Sequence, residues 1–114
     1  MYYIYMVRCS DDSIYTGIAA DLGRRLREHT EKAPAAAKYT RSRQVETLEM
    51  AWTAEDRSAA SRLECAIKRL PREKKLQLIA APQHMAELLP QLNDRDYTPL
   101  NSLSLADWVK GETK

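Results

Sequence analysis

The first nineteen residues fix most of what this chain can become. Tyr2 to Val7 is an apolar run rich in tyrosine, isoleucine and valine, and Ser10-Asp11-Asp12-Ser13 is a cluster of turn formers. A second short run comes next, Ile14 to Ile18. Two such runs around a polar turn predict a β-hairpin over residues 2–8 and 14–18. Within it lie Tyr3-Ile4-Tyr5 and Tyr15-Thr16-Gly17, with Tyr5 and Tyr15 ten positions apart. Side chains alternate between the faces of a strand. An even separation across a turn can therefore place both phenols on one face, side by side.

A hairpin cannot bury itself, so helices must cover it. Asp21 is a good N-cap, and residues 22–30 read as a short helix. Residues 31–44, with Pro34 and four alanines, read as a loosely held loop. Val45 to Trp52 alternates, and the set Glu46, Leu48, Met50 and Trp52 is mostly apolar, which predicts a third strand with one buried face. Thr53 is placed to cap a helix from Ala54 to Leu70, whose apolar positions Ala59, Ala60, Leu63, Ala66, Ile67 and Leu70 recur at helical spacing. Pro71 ends it and opens another helix from Arg72 to Ala80. A helical turn is expected at Met85 to Leu89, an extended linker at Asn93 to Pro99, and a capping box at Ser104 to Asp107. The tail docks through Leu105 and Trp108, or frays. Strand, strand, helix, strand, helix, helix is an α+β order.

With 114 residues the chain is expected to form one modest core. No stretch approaches the roughly 20 apolar residues of a membrane span, and no basic-then-apolar leader opens the chain. These features lead to the expectation of a cytoplasmic protein without a membrane partner. Cys9 and Cys65 lack zinc spacing and read as reduced thiols packed like small apolar side chains. Residues 1–80 carry fifteen Lys and Arg against eleven Asp and Glu, whereas residues 81–114 carry three against five. The basic character of the front suits a polyanionic partner without proving one.

Three elements could carry chemistry. On the first helix, Leu22, Arg25, Leu26 and His29 share a face, so an arginine and a histidine stand where apolar residues belong. They either snorkel at the core's edge or form a site with the hairpin's phenols. Arginine matches phosphate with a planar fork of donors, and histidine moves protons near neutral pH. Glu64 lies at the margin of the long helix's apolar face. It either pairs with Lys68 one turn on or ligates a hard divalent cation. The segments Lys38 to Arg43 and Lys68 to Lys75 are basic. They serve solubility, or contact a nucleic-acid backbone through Lys38, Thr40, Arg41, Arg43, Lys68, Arg72, Lys74 and Lys75.

Together these residues resemble the GIY-YIG nuclease superfamily, in particular its small stand-alone bacterial members. Tyr3-Ile4-Tyr5 stands at the GIY element, Tyr15-Thr16-Gly17 at YIG, Arg25 and His29 come after at the family spacing, and Glu64 matches the metal-binding glutamate. Tyr3 replaces the first glycine, Ile18 stands where repair-type relatives often have lysine, and no asparagine comes after Glu64 where many members carry one. The resemblance implies a three-stranded antiparallel sheet flanked by helices, ββαβα plus an extra helix, over residues 1–82, with residues 83–114 a C-terminal extension. It also implies a DNA endonuclease using Mg²⁺ or Mn²⁺ held by Glu64, with Tyr5, Tyr15, Arg25 and His29 catalytic. Tyr5 would help deprotonate water, Tyr15 orient it, Arg25 neutralise the phosphate and His29 assist proton transfer. The five side chains should then line one concave surface. Single-stranded or branched DNA is the expected substrate, with a repair or recombination role and a monomer or weak dimer. The alternative is a catalytically weak nucleic-acid-binding adaptor for a repair protein.

Overall fold

The computed structural model describes residues 1–31 and 44–100 together with Leu105 and Trp108. Strands β1 (Tyr2–Cys9) and β2 (Ile14–Ala19) form the expected hairpin, followed by helix α1 (Leu22–Thr30) and strand β3 (Val45–Ala54). Helices α2 (Arg57–Lys68), α3 (Arg72–Ala80) and α4 (Met85–Leu88) come next, and the short strand β4 (Tyr97–Pro99) follows a single 3₁₀ turn. The architecture is α+β. The loop expected at 31–44, which holds Lys38, Thr40, Arg41 and Arg43, and the capping box at 104–107 fall outside the described residues apart from Glu31, Gln44 and Leu105.

The sheet is antiparallel throughout, in the order β2-β1-β3-β4. The three expected strands are joined by β4, built from the segment read as a linker. Tyr97 pairs with Ala54, and its hydroxyl donates to the Ala59 carbonyl at 2.7 Å, tying β4 to α2.

Both faces of the sheet are covered. Ile4, Met6, Met50, Trp52 and Ala54 pack with Leu63 and Ile67 of α2, Leu78 of α3 and Met85 of α4. Tyr5, Val7, Cys9, Val45, Leu48 and Ala51 pack with Leu22 and Leu26 of α1, and Leu105 and Trp108 join this second cluster at its edge. The expectation of one buried face for β3 therefore fails. Its register against β1 shifts twice, skipping Glu49 between Met50 and Leu48 and Glu46 between Thr47 and Val45. Each shift inserts one residue and flips the rest of the strand to the other face. Val45, Leu48 and Ala51 consequently line the α1 side, while Met50 and Trp52 line the α2 side.

Asp21 caps α1 by accepting from the Arg24 backbone N–H at 3.1 Å. Helix α2 starts three residues later than Thr53 predicts. Thr53 is held in β3 by its pairing with Tyr3 and Thr98, so Asp56 takes the cap, accepting from the Ala59 N–H at 2.8 Å. Of the two thiols, Cys9 is buried as expected, whereas Cys65 is exposed.

Candidate active site

The β1–β2 register places Tyr5 opposite Gly17 and Tyr15 opposite Val7. The two phenols thus share a face as diagonal neighbours rather than a directly opposed pair, with ring centroids 6.3 Å apart. The diagonal works because residue 17 has no side chain. A Cβ there would stand 2.6 Å from the Tyr5 hydroxyl and 2.8 Å from Cζ, so the phenol lies across bare backbone. Gly17 has no positive φ, so space is the reason for the glycine here. Its role was missed at the level of sequence, although a lone glycine inside a strand is itself a signal of close approach.

Helix α1 delivers the next two groups. His29 lies in its last turn and is fully buried, with Nε2 2.7 Å from the Tyr5 hydroxyl. Its ring centroid is 5.7 Å from Tyr5 and 5.6 Å from Tyr15, so the three rings form one aromatic cluster. Burial, reinforced by the Arg25 charge and opposed by Glu28, lowers the His29 pKa to about 4. The imidazole is therefore neutral at pH 7. Burial likewise raises the Tyr5 pKa, and the Tyr15 and Glu64 charges add to the rise. Arg25 opposes it through a hydrogen bond and its positive charge. Arg25 is half-buried and its Nη1 donates to Glu28 Oε1 at 2.9 Å, which fixes the guanidinium beside the phenol. Glu28 was not singled out from sequence, although it stands three residues from Arg25, within one helical turn.

Glu64 comes from α2, on the other layer. Its carboxylate is close enough for its charge to act on Tyr5, and it is partly exposed. It pairs with Lys68, whose Nζ is 3.2 Å from Oε2. That ammonium also lies 5.7 Å from the centre of the Tyr15 ring. All five expected side chains thus belong to one neighbourhood. They do not all line one concave surface, because Tyr5 and His29 are core residues and only Tyr15, Arg25 and Glu64 reach solvent. Burial wins at Tyr5 and His29 because each satisfies the other's polar atom.

A single partly exposed carboxylate is the kind of ligand Mg²⁺ takes from protein when waters and phosphate oxygens complete its shell. Among the described residues no group of three or more His, Cys, Asp or Glu side chains could cage a metal unaided. Glu64 could supply one carboxylate to a divalent ion whose remaining positions are filled by other ligands.

Of the expected backbone-binding residues, Lys68 is engaged as above. Arg72 donates to Asp12 Oδ2 at 2.9 Å, and Asp12 also accepts from Arg8 at 2.7 Å, so the hairpin turn is pinned to the start of α3. Lys74 and Lys75 are part-exposed on α3. Among the described residues no helix is long and apolar enough to cross a membrane.

The profile of the GIY-YIG catalytic domain matches residues 1–77. The chain is 43% identical over 81 residues to the UPF0213 protein FN1575 of Fusobacterium nucleatum, covering 71% of this chain and 79% of that one. It is 36% identical over 91 residues to the UPF0213 protein YhbQ of Salmonella typhimurium, covering 80% and 89% respectively. The solution NMR structure of the UPF0213 protein BH0048 from Bacillus halodurans is 35% identical, covers 82% of this chain and 98% of that one, and superposes with a TM-score of 0.48. With its tyrosine hairpin, its Arg25 and His29 helix face and a domain match over most of its length, this chain belongs to the GIY-YIG nuclease family.

Proposed function

We propose that the protein is a divalent-metal-dependent endonuclease that hydrolyses phosphodiester bonds in single-stranded or branched DNA, serving repair or recombination. The reading rests on one observation above all, the buried 2.7 Å contact between Tyr5 and His29 with Arg25 beside it. A phenol with a raised pKa is a poor base by itself. Hydrogen-bonded to a neutral imidazole, it can pass a proton on. With the imidazole proton on Nδ1, Tyr5 donates to Nε2. Because Tyr5 is 1% exposed, substrate must first open the edge at Tyr15; as water then attacks phosphorus and the P–O bond to the leaving alkoxide breaks, Tyr5 takes the water's proton and gives its own to His29. The phenol stays neutral throughout, and the developing negative charge on the phosphate favours the imidazolium that forms.

Arg25, oriented by Glu28, neutralises nonbridging oxygens as the pentacovalent state develops. Tyr15 positions water or phosphate at the exposed edge of the ring cluster. Glu64 would hold Mg²⁺ or Mn²⁺, which supplies Lewis-acid stabilisation of phosphate charge. Lys68, Arg72, Lys74 and Lys75 would contact the DNA backbone, and Lys38, Thr40, Arg41 and Arg43, which lie outside the described residues, are proposed as further backbone contacts. Residues 1–82 constitute the nuclease domain on this reading, with residues 83–114 an extension packed onto it through Met85, Tyr97 and the β4 pairing and, further along, Leu105 and Trp108.

The test is cleavage of single-stranded, duplex and branched oligonucleotides with Mg²⁺ or Mn²⁺ by wild type, Tyr5→Phe and Glu64→Ala. General acid–base groups contribute about 10²- to 10⁴-fold, so Tyr5→Phe should lose at least about 100-fold. Absence of cleavage by wild type, or equal cleavage by Glu64→Ala, sinks the proposal. The Glu64–Lys68 pair favours a second reading, a nucleic-acid-binding adaptor that does not cut. Salt-sensitive DNA binding unaffected by Glu64→Ala, with no cleavage at any metal concentration, selects it.

A further inference from the structure

Lys68 is the last residue of α2 and makes two contacts that together are unusual for a surface lysine. Its Nζ lies 3.2 Å from Glu64 Oε2 and 5.7 Å from the centroid of the Tyr15 ring. The first contact is the ordinary pairing of residues one helical turn apart. The second is a cation over an aromatic face, an attraction that adds to the carboxylate's. The ring concerned edges directly onto His29 and lies beside Tyr5. The ammonium therefore pairs with Glu64 and at the same time lies over Tyr15, the ring of the cluster that reaches solvent.

A divalent cation approaching Glu64 meets a positive charge already on one of the two carboxylate oxygens. Both cannot keep that oxygen at full strength. The Lys68 side chain is half exposed and carries a flexible four-carbon stem, so it can leave without disturbing α2. Once it leaves, the anion that enters with the substrate is the DNA phosphate.

We propose that Lys68 is a placeholder cation: it occupies Glu64 in the resting protein, and metal binding transfers its ammonium to the substrate phosphate. This rests on the reading of Glu64 as the metal ligand. Metal and DNA then bind cooperatively, because each gains from moving the same side chain. A free protein without DNA holds metal weakly, and hydrolytic competence is assembled only on the substrate.

The test uses the full chain and Mn²⁺ alone, titrated by electron paramagnetic resonance, for wild type, Lys68→Met, Lys68→Arg and Glu64→Gln. Fluorescence anisotropy with a single-stranded oligonucleotide, with and without Mn²⁺, is then measured in a Tyr5→Phe background that suppresses cleavage. A part-exposed ion pair corresponds to roughly a two- to fivefold change in affinity, so Lys68→Met should bind Mn²⁺ more tightly by about that factor. The same substitution should reduce, by a similar factor, the gain in oligonucleotide affinity that Mn²⁺ confers. Lys68→Arg, which keeps the charge, should stay near wild type. Unchanged or weaker Mn²⁺ binding by Lys68→Met overturns the proposal, as does an undiminished Mn²⁺ effect on DNA affinity. Failure of wild type to bind Mn²⁺ in a Glu64-dependent way overturns the metal-site reading as well, and is distinguished by Glu64→Gln matching wild type.

Discussion

Replacing Gly17 by alanine tests the packing that sets Tyr5. The new Cβ would lie 2.6 Å from the Tyr5 hydroxyl, 2.8 Å from Cζ and 3.1 Å from Cε2 of Tyr15. Ordinary contact requires about 3.4 Å or more, so the phenol must retreat by roughly 1 Å. Tyr5 is 1% exposed and its hydroxyl is fixed at 2.7 Å from His29, so no open volume receives the ring. Overpacking of a filled core costs about 1–3 kcal/mol, and a lost hydrogen bond about 0.5–1.5 kcal/mol. Alanine returns about 0.5–1 kcal/mol over glycine in an extended strand. The balance is a net loss of about 1–3 kcal/mol, expressed as a melting temperature lower by roughly 5–10 °C. Urea unfolding followed by tryptophan fluorescence measures it. In a Tyr5→Ala background the same Gly17→Ala change should be neutral or stabilising, a coupling of at least about 1 kcal/mol. An unchanged midpoint for Gly17→Ala, or an equal loss in both backgrounds, refutes the steric argument.

The same geometry fixes other outcomes. His29 titrates near 6.5 when unfolded but at about 4 when buried, so the unfolded chain binds the proton first. Stability should be fully present above about pH 6.5 and fall by up to roughly 3 kcal/mol as pH drops to 4; urea midpoints against pH should show this, with a flatter acid limb in His29→Gln. Tyr97→Phe removes the bond to the Ala59 carbonyl on the layer opposite Tyr5. It should cost about 0.5–1.5 kcal/mol by urea unfolding while leaving oligonucleotide cleavage intact. Trp108 meets Tyr3 edge to face at 6.0 Å, and its carbonyl oxygen closes over Gly23 at the start of α1. Trp108→Ala should destabilise by about 1–2 kcal/mol in thermal melts, through loss of the ring pair and the area around it.

The legible part of the chain was local. The Tyr, Ile and Val runs around Asp11 and Asp12 specify the hairpin, and Asp21 with the spacing of Leu22, Leu26 and His29 specifies α1 and its inward face. The features that escaped depend on a distant partner. Whether Thr53 or Asp56 caps α2 is decided by pairing with Tyr3 and Thr98, which keeps Thr53 extended. The alternation of β3 misleads because Glu46 and Glu49 are inserted relative to β1, and β1 lies about forty residues away in sequence. Asn93 to Pro99 carries little strand pattern and becomes β4 only because β3 offers an open edge. At the site, Arg25 and His29 were readable as inward residues. The depth of Tyr5 and His29 was not, because it requires each to satisfy the other between β1 and α1, 24 residues apart in sequence.

That depth has a consequence for how such a protein would change over generations. On the proposed mechanism Tyr5 and His29 are both reacting groups and core packing, so selection for a folded chain retains them whether or not it cuts. Arg25 and Glu64, partly open to solvent, carry far less of the packing and are free to drift once hydrolysis is no longer needed. A descendant that had lost activity would keep its phenol and imidazole and show its loss at the rim. If Arg25 and Glu64 act as proposed, their identity, more than that of the tyrosines for which the fold is read, is the sharper marker of a lineage under selection to cut.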